Sequence, residues 1–211
     1  MKMPFQLVAC PVCKSIGLNR GLCLACRDEL WRRREPIARE LSGFKVRSLF
    51  RWQEGAWPGL GWWLRSLKRK EDWLYWREPA LWALNLFPRP STDRALVVPV
   101  PGSKPRANHA LGLARALAGW MRQWEVADCL LAVSEGSQKS QAWEDRWLRR
   151  FELKDRSILA CKDYTLLVVD DVVTSGATAC AAVQALGRPE GCEVWTLADR
   201  RPCCGDRAAL L

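Results

Sequence analysis

The segment LLVVDDVVTSGATACAAVQAL, residues 166–186, limits what this chain can fold into more than any other stretch. Residues 166–169 form the continuous apolar run that a parallel strand buried on both faces requires. The run breaks at Asp170-Asp171 and passes through Thr174-Ser175-Gly176-Ala177-Thr178 into a helical stretch, which Gly187 and Pro189 stop. In open α/β sheets ligands bind beyond the carboxyl ends of the strands. The helix that follows offers N–H groups without intrahelical partners at its positive dipole end, an arrangement that favours phosphate. The paired carboxylates repel phosphate and instead suit two neighbouring sugar hydroxyls. A phosphate cradle beside a diol clamp describes a ribose 5-phosphate site.

The surrounding pattern agrees with that strand–loop–helix unit. Short β-branched runs at 95–100, 129–133, 165–169 and 193–198 read as strands. Between the first two, Leu113, Leu117, Trp120 and Trp124 recur at three- and four-residue steps and predict a helix over 110–124. Strands alternating with helices predict a Rossmann-like parallel sheet over residues 91–211. The run Val98-Pro99-Val100-Pro101 opens onto Gly102, Ser103, Lys104 and Arg106, where small residues allow close approach and two cations can meet a second anionic group. The polar segment 137–141, which contains Lys139, has the character of a flap closing over substrate. His109, the only histidine, reads as a helix-entry residue near these loops.

Cys10, Cys13, Cys23 and Cys26 form two CxxC pairs within residues 1–30, which hold too few large apolar side chains for a core. Four thiolates at this spacing suit a tetrahedral zinc ion that supplies folding energy and leaves no vacancy for substrate. A redox dithiol or an iron–sulfur cluster is the alternative. The first residues carry too short an apolar stretch for export, and no apolar run reaches the roughly 18 residues of a membrane span, so a cytoplasmic chain without membrane insertion is expected.

Residues 31–90 are basic and hold eight of the thirteen Trp, and they read as a helical, Trp-rich hood. The net charge of +10 calls for an anionic partner. Aromatic platforms among cations can stack single-stranded nucleic acid. The same Trp side chains can equally pack a cover over the sheet.

The stretch from Asp170 to Thr178 resembles the phosphoribosyl diphosphate (PRPP) motif of type I phosphoribosyltransferases. Together with the CxxC pairs, the VPVP run, Lys139-x-Gln141 and the Glu54-Gly55 and Leu67-Lys68 pairs, the chain resembles the ComF/GntX family. That resemblance implies a zinc module at 1–30, a hood at 31–90 and a phosphoribosyltransferase-like domain at 91–211. It implies PRPP with Mg²⁺ as ligand, held by Asp170, Asp171, Thr174, Ser175, Gly176, Ala177 and Thr178, with Gly102, Ser103, Lys104 and Arg106 at the pyrophosphate. Asp170, Asp171 and Lys139 are the implied catalytic residues. The implied role is association with DNA uptake, either as a pentosyl transferase or as an accessory protein holding single-stranded DNA; a purine-salvage enzyme is the further alternative. Two departures stand out: Arg106-Ala107-Asn108-His109 is shorter than the family's Arg-rich helix entry, and 146–150 lacks its usual Asn.

Overall fold

A computed structural model describes residues 8–17, 21–53, 57–68, 70, 72–90, 92–102, 108–133, 150–160 and 163–200. Two short strands, β1 (Val8–Ala9) and β2 (Ile16–Gly17), pair antiparallel and lead into helix α1 (Leu24–Arg32). Strands β3 (Ile37–Leu41) and β4 (Phe44–Arg51) form an antiparallel hairpin. Helix α2 (Pro58–Leu67), a 3₁₀ turn (Trp73–Trp76) and helix α3 (Arg77–Leu86) follow. The remaining elements are β5 (Ala95–Pro99), α4 (His109–Trp120), β6 (Trp124–Val126), β7 (Leu130–Val133), β8 (Arg150–Leu153), β9 (Thr165–Val173), α5 (Ala177–Ala185) and β10 (Glu193–Asp199).

The central sheet has the order β3-β4-β10-β9-β5-β6, and every pairing in it is parallel except β3 with β4. The mixed α/β class with a mostly parallel sheet is therefore as expected. Strand β9 lies between β10 and β5, so its side chains are buried on both faces, which its apolar run satisfies. Alternation divides these side chains between two cores. Val97, Leu167, Val169, Trp195 and Leu197 face a cluster built with α2, α3 and α4. Leu96, Val98, Leu166, Val168 and Val194 face a second cluster built with α5 and the β7–β8 hairpin.

Helix α2 starts with Pro58 in its first turn and buries Leu60, Trp63, Leu64 and Leu67, spaced for one helical face. Helix α4 is capped by Asn108, whose side chain accepts from the Leu111 N–H at 3.1 Å.

Three expectations need correction. Residues 31–90 are not helical throughout, because β3 and β4 join the sheet through β10. Helix α4 stops at Trp120, and Trp124 opens β6, where its ring packs 5.8 Å from that of Trp195. Trp120 itself is 42% exposed and only Trp124 enters the core, so the four-residue step marks no shared face. Residues 130–133 form a strand, but it pairs with β8 in a separate hairpin and not with the central sheet.

Candidate sugar-phosphate site

At the carboxyl end of β9 the chain turns through Thr174 and Ser175 to Gly176, the N-cap of α5, which has φ +90°. This is the left-handed region that glycine adopts without steric cost. A Cβ at Gly176 would also lie 2.2 Å from Leu41 Cδ2, so the loop is packed tightly against the edge hairpin. Ser175 Oγ accepts from the Ala177 N–H at 3.4 Å. Asp170, Thr174, Gly176, Thr178 and Thr196 line a small recess. Parallel pairing of β5 with β9 brings Gly102 and the start of its loop to the same sheet edge, with the Val100 N–H donating to the Val169 carbonyl at 3.0 Å.

The two acids differ sharply. Asp170 lines the recess, and its Oδ1 accepts from the Asp171 N–H at 2.8 Å. Burial pushes its carboxyl pKa up, against the pull of His109. Asp171 is 4% exposed, and its carboxylate and that of Asp170 converge on His109 within 4.8 Å of one another. Its Oδ2 lies 2.9 Å from Lys68 Nζ, and its Oδ1 lies 3.3 Å from His109 Nε2 and accepts from the Val172 N–H at 2.9 Å. Burial would raise its pKa, but hydrogen bonding and charge from His109, with Lys68, outweigh burial and hold it at about 2. His109 Nε2 is also 3.8 Å from Asp170 Oδ1. Burial alone would lower the imidazole pKa, yet the two carboxylates raise it to about 9. The acid pair thus faces two cations, one just past α2 and one opening α4.

Arg39 holds the loop from the edge strand β3: its Nη2 donates to the Thr174 carbonyl at 3.1 Å and its Nε lies 3.0 Å from the buried Asp199 carboxylate. Thr196 at the recess floor shares a 2.6 Å hydrogen bond with Ser48.

Sequence reasoning placed Asp170, Asp171 and Thr174–Thr178 in one site; of these, Asp170, Thr174, Gly176 and Thr178 line the recess at the end of β9, whereas the Asp171 carboxylate pairs with Lys68 and His109. That reasoning missed Lys68, Arg39 and Thr196 as neighbours of that site. For Lys68 a signal existed, since it directly follows the buried Leu60–Leu67 face. Ser103, Lys104, Arg106 and Lys139 lie outside the described residues.

The four N-terminal cysteines also converge. Their Sγ atoms all lie within 4.8 Å of one another, with Cys13 and Cys23 at 3.5 Å. Cys23 caps α1 by accepting from the Cys26 N–H, and the Lys14 N–H returns to the Cys10 carbonyl at 2.9 Å. Hydrogen bonds from Ser15 lower the Cys13 thiol pKa to about 6, whereas burial pushes that of Cys26 up. The group can hold a metal ion.

No family model matches the chain, and no curated protein matches it. Among solved structures it is similar to a hypoxanthine phosphoribosyl transferase of Trypanosoma cruzi at 13% identity, covering 66% of this chain and 73% of that one, with a TM-score of 0.36. Among the described residues no helix is long and apolar enough to cross a membrane.

Proposed function

We propose that this chain binds a ribose 5-phosphate compound of the PRPP type at the end of β9, as a ComF/GntX-like member of the phosphoribosyltransferases. One observation carries the reading: a left-handed Gly176 opens α5 onto a recess that Asp170, Thr174 and Thr178 share. The 5-phosphate accepts from the backbone and hydroxyls of Thr174, Ser175, Gly176, Ala177 and Thr178, and Asp170 accepts from a sugar hydroxyl. The reaction that suits this site is transfer of ribose 5-phosphate from PRPP to an acceptor nucleophile. The bond from the anomeric carbon to the diphosphate oxygen breaks, the acceptor bonds to that carbon, and pyrophosphate leaves. Gly102, Ser103, Lys104, Arg106 and Lys139 are assigned to the diphosphate and the flap on the resemblance. Mg²⁺ is a hard cation that takes carboxylate and phosphate oxygens, so it would travel with the diphosphate. The chain's part is to hold the sugar and neutralise charge as it develops on the leaving group.

Zinc fits the cysteine cluster. A tetrahedral ion with Zn–S near 2.3 Å sets sulfur–sulfur separations of about 3.8 Å; the cluster's spread below 4.8 Å needs only small side-chain adjustment to reach that. Cys10, Cys13, Cys23 and Cys26 would hold it in a structural role.

A second reading, single-stranded DNA binding in an accessory role, is favoured by one feature. Trp73 and Trp120 are 40% and 42% exposed, and the Arg77 guanidinium lies 5.6 Å and 5.1 Å from their rings. Such a cation between two exposed rings is a stacking platform for bases.

Calorimetry with PRPP and Mg²⁺ tests the main reading. Wild-type protein is expected to bind, and Asp170→Asn to bind roughly 10–100-fold more weakly, the loss of a charge-assisted hydrogen bond. Equal affinity in the two proteins removes Asp170 from the site. The same titration with an oligothymidylate tests the second reading, and turnover against amines and purine bases then identifies any acceptor.

A further inference from the structure

The loop between β9 and α5 can cradle an anion only if its carbonyls turn away from the recess, because each carbonyl oxygen is the negative end of a peptide dipole. Donors within the chain take them. The Val173 carbonyl accepts from the Arg200 N–H at 2.8 Å, and the Gly176 carbonyl accepts from the Cys180 N–H at 2.8 Å in the first turn of α5. Thr174 lies between them, and its carbonyl accepts from a side chain, Arg39 Nη2, at 3.1 Å.

Arg39 belongs to the edge strand β3, on which Ile37, Arg39 and Leu41 alternate inward against the exposed Ala38 and Glu40. Its inward neighbours are apolar, so a guanidinium between them calls for a reason. The charge is compensated by Asp199, fully buried at the end of β10 in register with Val173, whose Oδ2 lies 3.0 Å from Arg39 Nε. Two positions further along β3, Leu41 reaches Gly176 closely enough to exclude a Cβ there. Successive inward residues of the strand thus hold alternate residues of the loop.

We propose that Arg39 is the positioning residue of the phosphate loop: by holding the Thr174 carbonyl it turns the Ser175 N–H, at the other end of the same peptide, toward the 5-phosphate. The inference rests on the ribose 5-phosphate reading above. A trans peptide is planar and its C=O and N–H point in opposite directions, so a donor that fixes one aims the other. Thr174 and Gly176, on either side of Ser175, both line the recess, whereas Arg39 is not among the described residues lining it. The N–H turned away from Arg39 is therefore the one available to an anion held there. Because Asp199 neutralises the guanidinium, Arg39 acts through direction more than through net charge. Its planar fork meets a carboxylate and a carbonyl at once, which the point charge of a lysine ammonium does not reproduce.

The test titrates ribose 5-phosphate into the full chain, Arg39→Lys and Asp199→Asn, following affinity, melting temperature and the Ser175 amide in nitrogen–proton correlation spectra. In wild-type protein the Ser175 amide proton is expected to move downfield on binding, as a donor to phosphate does. Arg39→Lys keeps a cation beside Asp199 and should melt close to wild type. It should nevertheless bind roughly 10–100-fold more weakly, the scale of one charge-assisted hydrogen bond, and lose most of the Ser175 shift at saturation. Asp199→Asn loosens the anchor but keeps the guanidinium, so it should move both quantities in the same direction by less; it answers the question if Arg39→Lys fails to fold. Wild-type affinity in the variants overturns the inference. Weaker binding with the Ser175 shift intact also overturns it, since Arg39 would then be a structural support alone. Failure of wild-type protein to bind ribose 5-phosphate overturns the reading of the site itself, and this inference with it.

Discussion

Gly176 concentrates two constraints in one residue. Its φ of +90° costs a side-chain-bearing residue about 1–2 kcal/mol, and a methyl group there would overlap Leu41 Cδ2 at 2.2 Å. Overpacking of this kind typically adds about 1–3 kcal/mol. Gly176→Ala is therefore expected to lower unfolding free energy by about 2–5 kcal/mol in urea titrations and to abolish PRPP binding. Adding Leu41→Ala should relieve the overlap but not the backbone strain, so the double variant should refold the loop only in part. Full recovery would mean the left-handed conformation is dispensable. The demand for glycine was legible beforehand, because a phosphate loop that turns from strand to helix requires such a residue. The contact with Leu41 was not, since nothing in the spacing of 37–51 announces a hairpin on this edge of the sheet.

Lys68, His109 and Asp171 join α2, α4 and β9, and their titration follows from that junction. The His109 pKa is raised to about 9 from an ordinary 6.5, so its contribution to stability is complete below pH 6.5 and lost as pH rises through 9. Asp171 is held at about 2 against an ordinary 3.8, so its contribution is present above pH 3.8 and lost as pH falls through 2. The difference in unfolding free energy between wild type and His109→Gln should thus be flat from about pH 4 to 6.5 and shrink toward pH 9. A difference that is constant across that range would mean the imidazole has the same pKa in the folded and unfolded chain. At this scale sequence reading succeeded where one element carried its own signal. The strand–acid–glycine–helix run and the central strands β5, β9 and β10 were legible because burial on both faces leaves an apolar run. It failed where two elements shared a signal: Trp124 kept helical spacing with Trp120 yet belongs to β6. The Trp-rich stretch illustrates the same ambiguity. Trp63, Trp76 and Trp82 are core residues, while Trp62 and Trp73 are about half exposed, and no periodicity distinguishes the two groups.

Across the whole molecule, the sheet separates two cores of different dependence. The α2–α4 side includes Cys10, Leu22 and Leu30 from the cysteine module, and Trp31 stacks 5.6 Å from Trp82, which in turn packs 5.7 Å from Trp63. Trp76 closes the same side against α4, so near to Gly112 that a Cβ there would meet its Nε1 at 2.5 Å. The α5 side, with Val168, Ala182, Val183 and Val194, contains none of the four clustered cysteines. A metal held by those cysteines therefore stabilises one face directly, because ions that bind only the folded form add their binding energy to folding. Stripping it with a chelator should raise hydrogen exchange first in α1, then in α2 and α3 through the Trp31–Trp82–Trp63 contacts. Amides of β9 and α5 should keep most of their protection, since local opening can proceed without global unfolding. Uniform loss of protection on both faces would show instead that the cores unfold as one unit and that the cysteine module governs the entire fold.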